Sequence, residues 1–112
     1  MNCSIWKPLK GPLNDWPLTF CSSATVTNND LEAADLLYPD LATENFQVYH
    51  RQSHKWFYIS GQEASEVIVF KQSDSDRTAC VGVPHCSFFN PHCLVGETPR
   101  ESIEARALVF YD

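Results

Sequence analysis

The feature that most constrains this chain is the run Ser102-Ile103-Glu104-Ala105-Arg106-Ala107-Leu108-Val109-Phe110-Tyr111. Ile103, Ala105, Ala107 and Val109 recur at a period of two, with Ser102, Glu104 and Arg106 at the alternate positions. A strand sends successive side chains to opposite faces, whereas a helix would scatter this pattern around its circumference. The run is therefore expected to be a strand with one apolar and one polar face. The same period marks residues 4–9, 46–50 and 55–59, and residues 66–71 form a nearly continuous β-branched stretch of the buried-strand kind. Residues 17–21 and 81–89 complete a set of six or seven short strands, with turn signals at Gly11-Pro12, Asp74-Ser75-Asp76 and Asn90-Pro91. One short helix is expected over 31–37, because Thr27-Asn28-Asn29-Asp30 supplies N-cap chemistry and Pro39 stops it. The pattern predicts a mainly β sandwich or barrel.

With 112 residues, the chain is expected to form a single domain over 1–112. Its net charge of -6 comes without any basic cluster, so no nucleic acid and no anionic membrane surface is expected as a partner. No apolar run approaches the roughly 20 residues that span a bilayer. The opening Met1-Asn2-Cys3-Ser4-Ile5-Trp6-Lys7-Pro8 has neither the basic region nor the apolar core of a secretory signal. Cys3, Cys21, Cys80, Cys86 and Cys93 make an odd count with no C-x-x-C pair, and so read as reduced thiols of a cytoplasmic protein.

The chemistry concentrates after residue 80. His85 lies in a strand-like segment, and Arg100-Glu101-Ser102 opens the last strand fifteen positions later. Neighbouring strands of a barrel bring such a pair to one concave face. A neutral imidazole suits ferrous iron, and a guanidinium matches a carboxylate bidentately, with the Ser102 hydroxyl on the same strand face. The layout fits a metal ligand followed by an anchor for a dicarboxylate. The same residues also fit a partly buried histidine and a surface ion pair of Arg100 with Glu104.

Further segments carry a resemblance. Trp6-Lys7-Pro8-Leu9, Gly11-Pro12 and Pro17-Leu18 resemble a Trp-Arg-Pro-Leu, Gly-Pro, Pro-Leu segment of a hydroxylase/desaturase family of fungal and bacterial secondary metabolism. His54-Lys55-Trp56-Phe57-Tyr58, Glu66-Val67 and Phe70-Lys71-Gln72-Ser73-Asp74-Ser75 are similar to its central segments. Pro84-His85-Cys86-Ser87-Phe88 and the block from Pro99 to Tyr111 are similar to its C-terminal signature. The resemblance implies a double-stranded β-helix (a jelly-roll, cupin-like barrel) and an oxidoreductase that hydroxylates or desaturates a small-molecule secondary metabolite. Its cofactors would be iron(II) and 2-oxoglutarate. It implies His85 as the distal metal ligand and Arg100 with Ser102 as the cosubstrate anchor. Arg106 shares strand parity with Arg100 and is the alternative anchor, or a partner of Glu104.

The resemblance also exposes departures. The family's iron site needs a His-x-Asp or His-x-Glu pair, carried upstream of the Trp-Lys-Pro-Leu block. Two positions after His50, His54, His85 and His92 stand Gln52, Trp56, Ser87 and Leu94. Ser4 stands where the family often has asparagine, and Lys7 where it usually has arginine. The expectation is an incomplete barrel corresponding to the C-terminal part of such an enzyme, inactive alone. It would be a fragment of a longer enzyme, a decayed relative, or a chain completed by a partner. Unpaired strand edges would favour self-association. The alternative is a non-catalytic binding or interaction protein, zinc-stabilised through Cys80, His85-Cys86 and His92-Cys93. Asp74 and Asp76 read as a solvated turn. Trp6, Trp16, Trp56, Phe57 and Tyr58 read mostly as core and otherwise as pocket lining.

Overall fold

The structure, a computed structural model, describes residues 1–76 and 82–111. Eight strands are found among them: β1 (Asn2–Pro8), β2 (Leu18–Cys21), β3 (Leu31–Tyr38), β4 (Leu41–Val48), β5 (Trp56–Tyr58), β6 (Ile68–Ser73), β7 (His85–Ser87) and β8 (Ser102–Leu108). They form two three-stranded antiparallel sheets, ordered β6-β1-β8 and β5-β2-β7, and a separate β3-β4 hairpin. The architecture is mainly β, as the strand periods predict, and an unclosed jelly-roll, as the family resemblance implies.

The two sheets meet through Phe70 of β6 and Phe20 of β2, whose rings pack edge to face with centroids 4.9 Å apart. Trp6 and Leu13 complete the buried cluster, flanked by Leu18 and Ile68. Register decides which side of β8 faces this core. Ser4 lies opposite Arg106, Trp6 opposite Glu104 and Pro8 opposite Ser102, so the polar side of β8 shares the face of Trp6. The apolar side, Ile103 with Ala105 and Ala107, lies on the outer face beside Cys3 and Ile5. Burial of the indole at Trp6 fixes that choice, which alternation on β8 alone leaves open.

The helix expected over 31–37 is a strand. Its N-cap chemistry is spent on a single 3-10 turn, Asn28–Asp30, and the chain then extends as β3. Starting a helix fixes about six dihedrals for one hydrogen bond. Here the alternative is an eight-pair ladder with β4, from Leu31 opposite Val48 to Tyr38 opposite Leu41. Pro39 occupies the two-residue turn of this hairpin rather than a helix end. Of the five aromatics read mostly as core, only Trp6 is buried; Trp16, Trp56, Phe57 and Tyr58 are exposed. The radius of gyration is 15.5 Å, against about 13 Å for a compact domain of this length. The hairpin and the uncovered sheet faces account for the excess. Among the described residues no helix is long and apolar enough to cross a membrane.

Candidate functional site

His85 is placed by β7, directly opposite Phe20 of β2, whose other neighbour is Phe57 of β5. The ring therefore points toward the gap between the sheets, where it packs on Phe70 with centroids 4.6 Å apart. Its Nδ1 lies 2.8 Å from the Val83 carbonyl oxygen. A carbonyl only accepts, so Nδ1 carries the proton and donates. In the neutral ring this leaves the Nε2 lone pair free, the arrangement that orients a metal-binding histidine. Half-buried, packed on an aromatic and held by its own backbone, His85 is the best-formed ligand donor among the described residues.

Across the β6-β1-β8 sheet, Phe70, Ser4 and Arg106 stand in one row. Ser4 is fully buried, donates from Oγ to Glu104 Oε1 at 2.6 Å, and accepts from Gln72 Nε2 at 2.9 Å. Arg106 reaches the same carboxylate oxygen through Nε at 3.5 Å. The pairing of Arg106 with Glu104 weighed from sequence is thus present, and only Nε is used. Ser102 sits on the same face at the Pro8 end of β8 and is exposed.

Arg100 is placed differently. Its Nη1 donates to the Trp16 carbonyl at 2.7 Å, and its backbone N–H donates to Asp15 Oδ2 at 2.9 Å. Trp16 has a positive φ of 43°, a conformation unusual for a bulky side chain. Arg100 fastens this bend ahead of β2, and it makes no ion pair with Glu104. His85 and Arg100 are not on adjacent strands of one sheet, contrary to the simplest expectation from their spacing.

The soft donors suggested for zinc diverge. Cys86 lies opposite Thr19, on the other face of β7 from His85, and partial desolvation pushes its thiol up. The Cys93 thiol is also pushed up, by burial first and then by the charges of Glu97 and Asp15. Cys80 lies outside the described residues. Among the described residues no group of three or more His, Cys, Asp or Glu side chains is arranged to hold a metal ion.

Asp74 is bonded within its turn rather than solvated. Lys71 Nζ at 2.7 Å and the Tyr111 hydroxyl at 2.6 Å hold its carboxyl well below the usual range, in that order of weight. The same bond holds the Tyr111 phenol above its ordinary value. A second carboxylate was legible only as an N-cap. Asp30 is buried and accepts from the Thr27 N–H (2.9 Å), the Thr27 hydroxyl (3.0 Å) and Arg51 Nε (2.7 Å), with His54 Nε2 at 3.2 Å. The Thr27 N–H above all, then Arg51, holds this carboxyl far below its ordinary value. Partners that lie 21 and 24 residues downstream leave no local signal. A surface cleft of about 340 Å³ lies between residues 10–14 and 96–99 and includes none of His85, Ser102 or Arg106.

For iron, the fit is partial. His85 offers one oriented nitrogen, but no described carboxylate or second imidazole converges on it, and the chain holds no His-x-Asp or His-x-Glu. Ligand number and geometry set metal retention, so these residues alone do not make a three-ligand iron site.

Residues 1–110 match the family described as the oxidoreductase/YMDC permease-like domain. The chain is 38% identical over 109 residues to the Fe(II)/2-oxoglutarate-dependent dioxygenase nvfI of Aspergillus novofumigatus, covering 96% of this chain and 39% of that protein. It is 33% identical over 112 residues to aspirochlorine biosynthesis protein N of Aspergillus oryzae, covering 97% and 47%. Among solved structures, the iron and alpha-ketoglutarate-dependent endoperoxidase NvfI superimposes with a TM-score of 0.84 at 32% identity, over 94% of this chain and 40% of that one. The chain thus spans less than half the length of these relatives and corresponds to their C-terminal part. It belongs to this oxidoreductase family, among fungal iron(II)/2-oxoglutarate dioxygenases and hydroxylase/desaturases.

Proposed function

We propose that the chain is the C-terminal share of an iron(II)/2-oxoglutarate oxygenase site acting on a small secondary metabolite, and that it is silent alone. His85 supplies the distal iron ligand through Nε2. Arg106 holds the far carboxylate of 2-oxoglutarate, in place of the Arg100 and Ser102 pair. The observation that carries this reading is the row on one sheet face: Phe70 packs on His85, and Ser4 and Arg106 follow it across the strands. Arg106 is favoured over Arg100 as anchor because its Nη1 and Nη2 make no hydrogen bond to the described residues. Arg100 instead has Nη1 committed to the Trp16 carbonyl. A planar fork with free terminal nitrogens suits a carboxylate bidentately. Iron, when bound, would activate oxygen; this chain's residues bind, orient and flank. Exposed Phe57, on the same sheet face as His85, offers an apolar wall for the metabolite. The reading places the free thiols of Cys3, Cys21, Cys86 and Cys93 in the reducing cytoplasm.

Anaerobic titration of the chain with ferrous iron and 2-oxoglutarate tests this directly. The expected result is no visible chelate band, together with weak 2-oxoglutarate binding that Arg106→Ala abolishes and Arg100→Ala leaves in place. A stoichiometric band from the chain alone would sink the claim of silence. Binding that follows Arg100 instead would move the anchor there.

A further inference from the structure

The β6-β1 pairing slips by one residue. Asn2 lies opposite Ser73 and Cys3 opposite Lys71, so Gln72 is the extra residue of a β-bulge. A bulge bends its strand and re-aims the side chain it carries. Here the Gln72 amide turns to β1 and donates from Nε2 to Ser4 Oγ at 2.9 Å. Ser4 is fully buried and donates onward to Glu104 Oε1 at 2.6 Å, the oxygen that Arg106 Nε approaches at 3.5 Å. The backbone of the same bulge meets the segment that leads into β7. The Val83 N–H donates to the Lys71 carbonyl at 2.9 Å, and the Val83 carbonyl accepts the His85 Nδ1 proton at 2.8 Å. A Cβ at Gly82 would collide with the Gln72 carbonyl oxygen, so this close approach requires glycine.

We propose that the Lys71-Gln72 bulge is the common support of both halves of the site: its side chain makes Gln72 a positioning residue for Arg106, and its backbone holds the segment that orients His85. The inference rests on the reading of His85 as distal iron ligand and Arg106 as cosubstrate anchor. An amide N–H only donates, so Ser4 Oγ accepts from Gln72 and its own proton is left for Glu104. The carboxylate so held engages Arg106 at Nε and leaves the two terminal nitrogens for a ligand. An arginine ordered before binding loses less rotamer freedom when the ligand arrives, and that difference is affinity. His85 depends on the bulge through Val83, whose carbonyl is the acceptor that fixes the tautomer. One slip of register thus orients the imidazole and the guanidinium together.

Two variants of the chain separate the two arms. Gln72→Met keeps the volume of the side chain and removes its donor, whereas Gly82→Ala pushes the 82–83 backbone off the bulge. Cooperative tryptophan-fluorescence melts verify that each is folded. Gln72→Met is expected to weaken 2-oxoglutarate binding by about fivefold, the loss that an unordered arginine brings. It should leave His85 as a single Nδ1–H tautomer in nitrogen-15 NMR. Gly82→Ala should show both tautomers of His85. A bulge that merely stabilised its sheet would lower the melting temperature and move neither readout. Unchanged affinity in Gln72→Met overturns the proposal, and so does an unmoved tautomer in Gly82→Ala. Gln72→Met spares the backbone and keeps the proposal open to refutation where Gly82→Ala does not fold. Binding of 2-oxoglutarate that ignores Arg106→Ala means instead that the anchor reading has failed. The His85 tautomer in Gly82→Ala, measured without ligand, then still decides the role of the bulge.

Discussion

Replacing Phe70 with alanine tests whether the two sheets share one core. The side chain is 6% exposed, and its ring touches Phe20 across the sheet gap and His85 beside it. Truncating a buried phenylalanine costs about 3–5 kcal/mol, including the cavity left behind. Unfolding entropy scales near 2.1 cal/mol/K per residue, or roughly 0.2 kcal/mol/K for the chain without its hairpin. Phe70→Ala should therefore lower the melting temperature by roughly 15–25 °C. Phe70→Leu keeps most of the volume and loses the ring contacts, which is worth about 1–2 kcal/mol, or roughly 5–10 °C. Tryptophan fluorescence is the assay, since Trp6, Trp16 and Trp56 all lie outside the hairpin. An alanine variant melting within about 4 °C of the parent would refute a shared core. A leucine variant as damaged as the alanine one would refute the volume argument.

Acid should release the hairpin base. The Asp30 carboxyl is depressed in the folded chain, so its contribution is present above the ordinary carboxylate range and lost as pH falls below about 4. Circular dichroism at decreasing pH should show a transition there that Asp30→Asn removes. Asp35 and Glu44 stand directly opposite each other on β3 and β4, and like charges so placed repel. Glu44→Lys should stabilise the hairpin by about 0.2–1 kcal/mol, read as slower amide exchange in 31–48 and weakened by salt. Tyr111 is held neutral by its bond to Asp74, so its contribution persists below the ordinary phenol value and is lost as pH rises through the raised one. Ultraviolet titration should place its ionisation above the ordinary phenol value, and Asp74→Asn should bring it back.

Most of the strand content was legible because a period of two needs only neighbouring residues to be read. Strands β1, β2, β6 and β8 fall where alternation or an apolar run puts them. What alternation cannot say is which face turns inward. On β8 alternation separates an apolar from a polar set, and only register with Ser4 and Trp6 shows that Glu104 and Arg106 share the Trp6 face. The 31–37 segment shows the opposite limit. Its local chemistry favours a helix start, and a strand partner closed by Pro39-Asp40 overrides it. In the candidate site, His85 and Arg106 were readable by residue type. The fixed tautomer of His85 and the fastening of Trp16 by Arg100 depend on backbone carbonyls that sequence does not show.

The β3-β4 hairpin pairs with itself, and the bonds of Asp30 to Arg51 and His54 join its two legs at the base. Two strands alone are marginal in water. The chain is therefore built of two cooperative units with separate free energies of opening. The hairpin exchanges its amide protons and meets proteases on its own schedule, while the two-sheet body keeps its order. A single unfolding constant cannot describe both, and an average over the whole chain would hide the stability of the part that carries His85.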